Sequence, residues 1–108
     1  MSEATDNLDG VPVIPVELER ADGAVVLTIR GRLDAAAGAA VVKAASDAAA
    51  DGATRIDIDL CAVTDFTEEG ARWLHRCRRL SDALPGGLHY RTGRGPGQEA
   101  LLVAYAEE

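Results

Sequence analysis

The stretch TRIDIDLCAVTDFTEEGARWL, residues 54–74, reads as a strand, a turn and the opening of a helix. Within it, Ile56, Ile58 and Leu60 point one way and Arg55, Asp57 and Asp59 the other. A strand held between two helix layers is apolar on both faces. This one is apolar on one face only, which predicts a sheet covered by helices on one side and at least partly open on the other. Past the strand, Thr67 suits a helix N-cap, and Glu68 and Glu69 then fall in the first turn. Acids there favour the helix macrodipole by roughly 0.3–1 kcal/mol each. Phe66 and Ala71 occupy the flanking apolar staple positions.

The same helical pattern continues downstream. Trp73, Cys77, Leu80 and Leu84 recur at 4-3-4 spacing with Leu74 beside them, which predicts a helix over 68–84, stopped by Pro85, Gly86 and Gly87. Arg72, Arg76 and Arg79 form a second stripe on it. LHYRT, residues 88–92, reads as a fourth strand; GRGPG, residues 93–97, reads as a flexible turn with Pro96 opening a last helix. Upstream, AVVLTIRGRL, residues 24–33, alternates, with Val25, Leu27 and Ile29 on one face and Val26, Thr28 and Arg30 on the other. Asp22–Gly23 is a hairpin turn signal joining it to VELER, residues 16–20. Asp34 suits the N-cap of an alanine-rich helix over 35–51, in which Ala37, Val41, Ala44 and Ala48 recur, and Gly52 suits its C′ position.

The order β-β-α-β-α-β-α predicts an α/β fold: a mixed sheet of about four strands with the helices packed mainly on one face. The first two strands form an antiparallel hairpin, and the later ones run parallel through right-handed crossovers. Residues 1–12 read as a disordered tail and 13–108 as one domain.

The 108 residues are 47% hydrophobic, enough for a core without disulfides or metal, and carry a net charge of −7. That charge argues against a nucleic-acid partner, since phosphate neutralisation supplies most of such a binder's affinity. No run is long and apolar enough to insert directly into a membrane, and the polar start MSEATDNLDG lacks the features of a secretion signal, so a cytoplasmic location is expected. Cys61 and Cys77 form no metal or redox pair and read as small buried hydrophobes. His75 and His89 have no partner at ligand spacing. No cofactor or metal is expected.

Asp57, Asp59, Asp65, Glu68 and Glu69 form the one acidic group that could do chemistry. Asp59 lies at the carboxyl end of a strand, where open α/β sheets place ligands, so a small acidic enzyme or metal binder using Asp59, Asp65 and Glu68 is one reading. It lacks the usual accompaniment: there is no phosphate-cradling lysine loop and no nucleophile elbow, and glycines 93, 95 and 97 do not make a dinucleotide fingerprint.

Taken together, Gly31-x-Leu33-Asp34 at a strand end, Asp59-Leu60-x-x-Val63 at the next strand end, and Gly70 opening a helix resemble the STAS domain. This family includes the bacterial anti-sigma factor antagonists and cytoplasmic domains of sulfate transporters. The resemblance covers about residues 13–106. It implies a non-catalytic interaction module acting in partner switching: an anti-sigma factor kinase binds the antagonist around a switch loop and phosphorylates a serine there, and the phosphorylated form lets go. Aligned on Gly70, Thr67 stands where the family has aspartate, Glu68 where it has the phosphorylated serine, and Glu69 at the second hydroxyl position. Glu68 cannot accept phosphate and carries about one negative charge against roughly −1.5 to −2 for phosphoserine. The 64–70 loop therefore reads as a degenerate phosphosite, a fixed partial imitation of the phosphorylated state, with Thr67 as a possible substitute acceptor. The expected partner is an anti-sigma factor kinase-like protein or another STAS-scaffold protein. The expected contact residues are Asp34, Thr64, Asp65, Thr67, Glu68, Glu69, Arg72 and Arg76. A STAS subunit of a scaffold, or of a lipid or anion transporter complex, is an alternative within the same class.

Overall fold

The computed structural model describes residues 16–106; the tail read over residues 1–12 lies outside the described residues. Four strands and four helices follow in the order β1 (Val16–Ala21), β2 (Ala24–Leu33), α1 (Ala35–Ala50), β3 (Arg55–Phe66), α2 (Glu68–Arg76), α3 (Arg78–Ser81), β4 (Leu88–Arg91) and α4 (Pro96–Tyr105). The sheet order is β1-β2-β3-β4, with β1 antiparallel to β2 and the β2–β3 and β3–β4 pairs parallel. The predicted mixed four-stranded sheet is borne out. At the hairpin, Asp22 and Gly23 have φ of 53° and 84°, the left-handed pair that a two-residue turn needs to match strand twist.

The alternation read from sequence sorts the two faces. Val25, Leu27, Ile29, Ile56, Ile58 and Leu60 are buried beneath Ala37, Val41, Ala45 and Ala48 of α1 and Ala71 and Leu74 of α2. The other face has no helix layer among the described residues. There Asp57 is held by Arg55 at 3.1 Å, and Arg30 donates to Glu17 at 3.0 Å. α1 ends as expected: Gly52 adopts φ 96°, its N–H donates to Ala49 O, and the Ala53 N–H donates to Ala48 O. These paired bonds satisfy carbonyls that the helix end would otherwise orphan. Tyr90 of β4 donates to Leu74 O at 3.0 Å and shares a 3.0 Å bond with the Tyr105 hydroxyl, tying β4 to α2 and α4.

Three expectations need correction. First, β3 runs through to Phe66, so Thr64 and Asp65 belong to a strand end and not to a loop. Its pairing with β2 slips twice, from Thr28↔Asp59 to Arg30↔Ala62 and from Gly31↔Val63 to Arg32↔Asp65. Each slip is a bulge, with one extra residue on β3. The inward positions therefore step by three, from Leu60 to Val63 to Phe66. Second, Cys61 falls on the first bulge and is exposed, whereas Cys77 is buried. Third, the helix expected over 68–84 breaks at Cys77. Cys77 N–H donates to Leu74 O and Leu80 N–H to Cys77 O, three residues back in both cases. This tightening to the 3₁₀ pattern ends α2 at Arg76.

Candidate functional site

Parallel pairing brings the carboxyl ends of β2 and β3 side by side, with Leu33 opposite Phe66. Both strands feed a helix from that end. Asp34 caps α1 by accepting from the Ala37 N–H at 2.9 Å. Thr67 caps α2 by accepting from the Gly70 N–H at 3.0 Å, and its own N–H donates to Leu33 O. Gly70 seats α2 directly on the β2–α1 turn: a Cβ there would overlap the Leu33 carbonyl and come within 2.8 Å of the Asp34 carbonyl carbon. Gly38 makes the same contact from α1, where a Cβ would lie 2.5 Å from Trp73 Cβ and 2.9 Å from Gly70 O. Two helix N-termini are thus locked together at one end of the sheet.

Asp34, Thr64, Asp65, Thr67, Glu68 and Glu69 gather at this end. Asp34 and Thr67 are committed to capping, so their first role is structural. Thr64 donates to Asp65 at 3.4 Å, and Arg32 lies 3.6 Å from the Asp65 carboxylate. Glu68 opens α2 with its side chain 69% exposed and bonds Arg72 one turn on at 2.9 Å. That pair was legible as an i, i+4 acid–base spacing, and reading Glu68 only against the helix dipole missed it. Glu69 rims an open depression of about 310 Å³ with Arg72, Trp73 and Arg76. Arg76 lies two turns from the cap, stacked over the Trp73 ring at 4.2 Å.

Asp59 does not join them. It sits on the open sheet face before the first bulge, where its carboxylate accepts from the Cys61 N–H at 2.9 Å and faces Arg91 at 3.6 Å. Its work is to satisfy a backbone donor that the bulge takes out of the ladder. Asp59, Asp65 and Glu68 each have a separate cation. Among the described residues, no three His, Cys, Asp or Glu side chains are grouped so as to hold a metal ion. The arrangement gives no support to the acidic enzyme or metal-binder reading. Neither thiol is activated: hydrogen bonding with Asp59 holds Cys61 above its ordinary value, and burial pushes Cys77 up to about 12. A thiolate is the nucleophilic form, and neither cysteine supplies one near neutrality.

The caps give a first expected outcome. Asp34→Ala and Thr67→Ala should each lower unfolding free energy by about 1 kcal/mol, within the roughly 0.5–2 kcal/mol range for lost caps. Urea denaturation of each variant checks this. A loss below about 0.3 kcal/mol would mean the caps do not fix these helix starts.

No protein-family model matches the sequence, and no curated protein matches it. Among solved structures, the chain is similar to an anti-sigma factor antagonist from Mycobacterium paratuberculosis. The two are 25% identical, with a TM-score of 0.62, over 81% of this chain and 73% of that one. It is also similar to the anti-sigma factor antagonist SpoIIAA in its unphosphorylated form, at 20% identity and TM-score 0.64, over 80% of each chain. A third similar structure is Mglu, at 22% identity and TM-score 0.63; the match covers 77% of this chain and 21% of Mglu, so the chain spans about a fifth of that protein's length. The fold is STAS-like. Among the described residues, no helix is long and apolar enough to cross a membrane.

Proposed function

We propose that this chain is a non-catalytic protein–protein interaction module of the anti-sigma factor antagonist kind, acting in the cytoplasm of a bacterium in partner switching on sigma factors. Its partner is an anti-sigma factor kinase-like protein, and Glu68 stands in place of the phosphorylated serine. The observation that carries this reading is the position of Glu68. It is the first residue of α2 and exposed, at the end of the sheet where the two helix N-termini meet. Thr64, Asp65, Thr67 and Glu69 surround it, and Arg72 and Arg76 extend the same surface along α2. Around Glu69 the relief is shallow and open, which suits a partner's surface better than an enclosed small molecule. The STAS-like fold supports the reading, since two of the similar structures are antagonists.

Two measurements test it. Calorimetry of the full chain and of Glu68→Ser against a switch-type anti-sigma factor kinase should show weak binding that the serine variant tightens, and absence of binding by both would overturn the proposal. Incubation with that kinase and ATP, followed by intact-mass analysis, should show no added phosphate. The reason is that Glu68 lacks a hydroxyl and the Thr67 oxygen is engaged by the Gly70 N–H. A stoichiometric phosphate on Thr67 would show that the acceptor has moved one residue and that the site is not degenerate.

A further inference from the structure

The net charge of −7 conceals a strong asymmetry. Residues 70–81 hold Arg72, Arg76, Arg78 and Arg79 and no acid, so taking their four positive charges from −7 leaves −11 on the rest of the chain. Arg20, Arg30, Arg32, Arg55 and Arg91 each have a carboxylate within 3.0–3.6 Å. Arg76 and Arg79 have none among the described residues. Arg76 instead lies over Trp73 at 4.2 Å, a contact that fixes its guanidinium without neutralising it. Arg76 also borders three open depressions along this face. One of about 880 Å³ is shared with Arg78 and Arg79, one of about 310 Å³ with Glu69 and Trp73, and one of about 250 Å³ with Val103 and Ala104. On the rim of the largest, Arg76 and Arg79 face a single acid, Asp82.

We infer that the α2–α3 arginine ridge, centred on the stacked Trp73–Arg76 pair, docks an acidic segment of a protein partner. Arg76 and Arg79 are three residues apart across the 3₁₀ turns at Cys77, where such side chains eclipse about 6 Å apart. Alternate residues of an extended strand are about 6.6–6.8 Å apart. A segment with glutamate or aspartate at every second position therefore meets the ridge in register. Tryptophan and arginine are also the side chains most enriched among residues that dominate binding energy. A nucleic acid fits less well: its charge continues beyond the roughly 10 Å from Arg72 to Arg79 onto a surface of opposite preference. The inference rests on the reading above only in taking α2 as a face that meets protein. It adds the chemistry the partner must present, and it does not involve Glu68 as a phosphosite.

The test uses the full chain and a ten-residue peptide with glutamate at alternate positions, alongside its glutamine counterpart and a short single-stranded oligonucleotide of equal charge. The kinase is absent, so failure here is distinct from failure of the switch reading. The glutamate peptide should bind and the glutamine peptide should not. Arg76→Gln should weaken binding about tenfold with an unchanged melting temperature, while Arg94→Gln leaves it within about twofold. Four results would each overturn the inference: no binding of the glutamate peptide, equal binding of the glutamine peptide, tighter binding of the oligonucleotide, or self-association of the chain that Arg76→Gln abolishes. The last would identify the occupant as a second copy.

Discussion

Gly70→Ala is expected to cost about 3 kcal/mol or more of folding free energy, a large loss for the addition of one methyl group. Extra atoms in a packed site cost typically 1–3 kcal/mol when side chains can shift. Here the added methyl meets the Leu33 carbonyl and the Asp34 backbone, not the end of a flexible side chain. The α2 start cannot retreat without breaking the Thr67 N–H bond to Leu33 O and the Thr67 cap. At roughly 4–8 °C per kcal/mol for a domain of this size, melting should fall by about 12 °C or more. Gly31→Ala is the control. Gly31 has φ 81° with nothing within 4 Å of the added atom, so only backbone strain of roughly 1–2 kcal/mol applies. Urea denaturation ranks the two. A Gly70→Ala loss no greater than that of Gly31→Ala would mean the helix start is free to move. Gly38→Ala should couple non-additively with Gly70→Ala, because Gly38 approaches Gly70 O directly.

The same residue shows what the sequence could and could not reveal. A glycine three residues after an N-cap threonine marks a close approach in principle. The partner, however, is set by which strand ends lie side by side, and local spacing does not encode that. The elements written in local chemistry were legible: the Asp22–Gly23 turn, the Asp34 and Thr67 caps, the Gly52 stop and the one-sided RIDIDL strand. Those that depend on two strands of unequal count were not. The bulges at 60–62 and 64 turn a period of two into steps of three, so Cys61 read as inward and Thr64–Asp65 as loop. The break at Cys77 was hidden because Trp73, Cys77, Leu80 and Leu84 keep helical spacing through it. Asp59 lies apart from the site. Its place at a strand's carboxyl end made it a candidate in the alternative enzyme reading, and the bulge it serves gives it a different task.

Glu68→Ser is expected to tighten binding to a switch-type anti-sigma factor kinase by about tenfold, a little over 1 kcal/mol. Sequence alone suggests a larger figure, up to a hundredfold, for relieving an unmatched negative charge of its burial in an interface. The structure lowers it, because Arg72 already accompanies Glu68 at 2.9 Å. A carboxylate buried with its counter-charge loses less than one buried alone. In the free chain the substitution removes an exposed pair, worth at most about 1 kcal/mol, and one first-turn acid worth roughly 0.3–1 kcal/mol. Serine also suits a helix start, so the fold should survive. Glu68→Gln separates charge from size: it keeps the length of glutamate and removes its charge, so it should reproduce most of the gain if repulsion is the cause. Calorimetry of the three proteins against one kinase decides among the outcomes. A gain with serine and none with glutamine would assign the effect to space at the interface. Weaker binding of both variants would mean the kinase offers Glu68 an arginine or lysine of its own. Glu68 would then be an attractive contact and not an imitation of phosphoserine, and the position would act as a permanent adhesive point in place of a disabled switch.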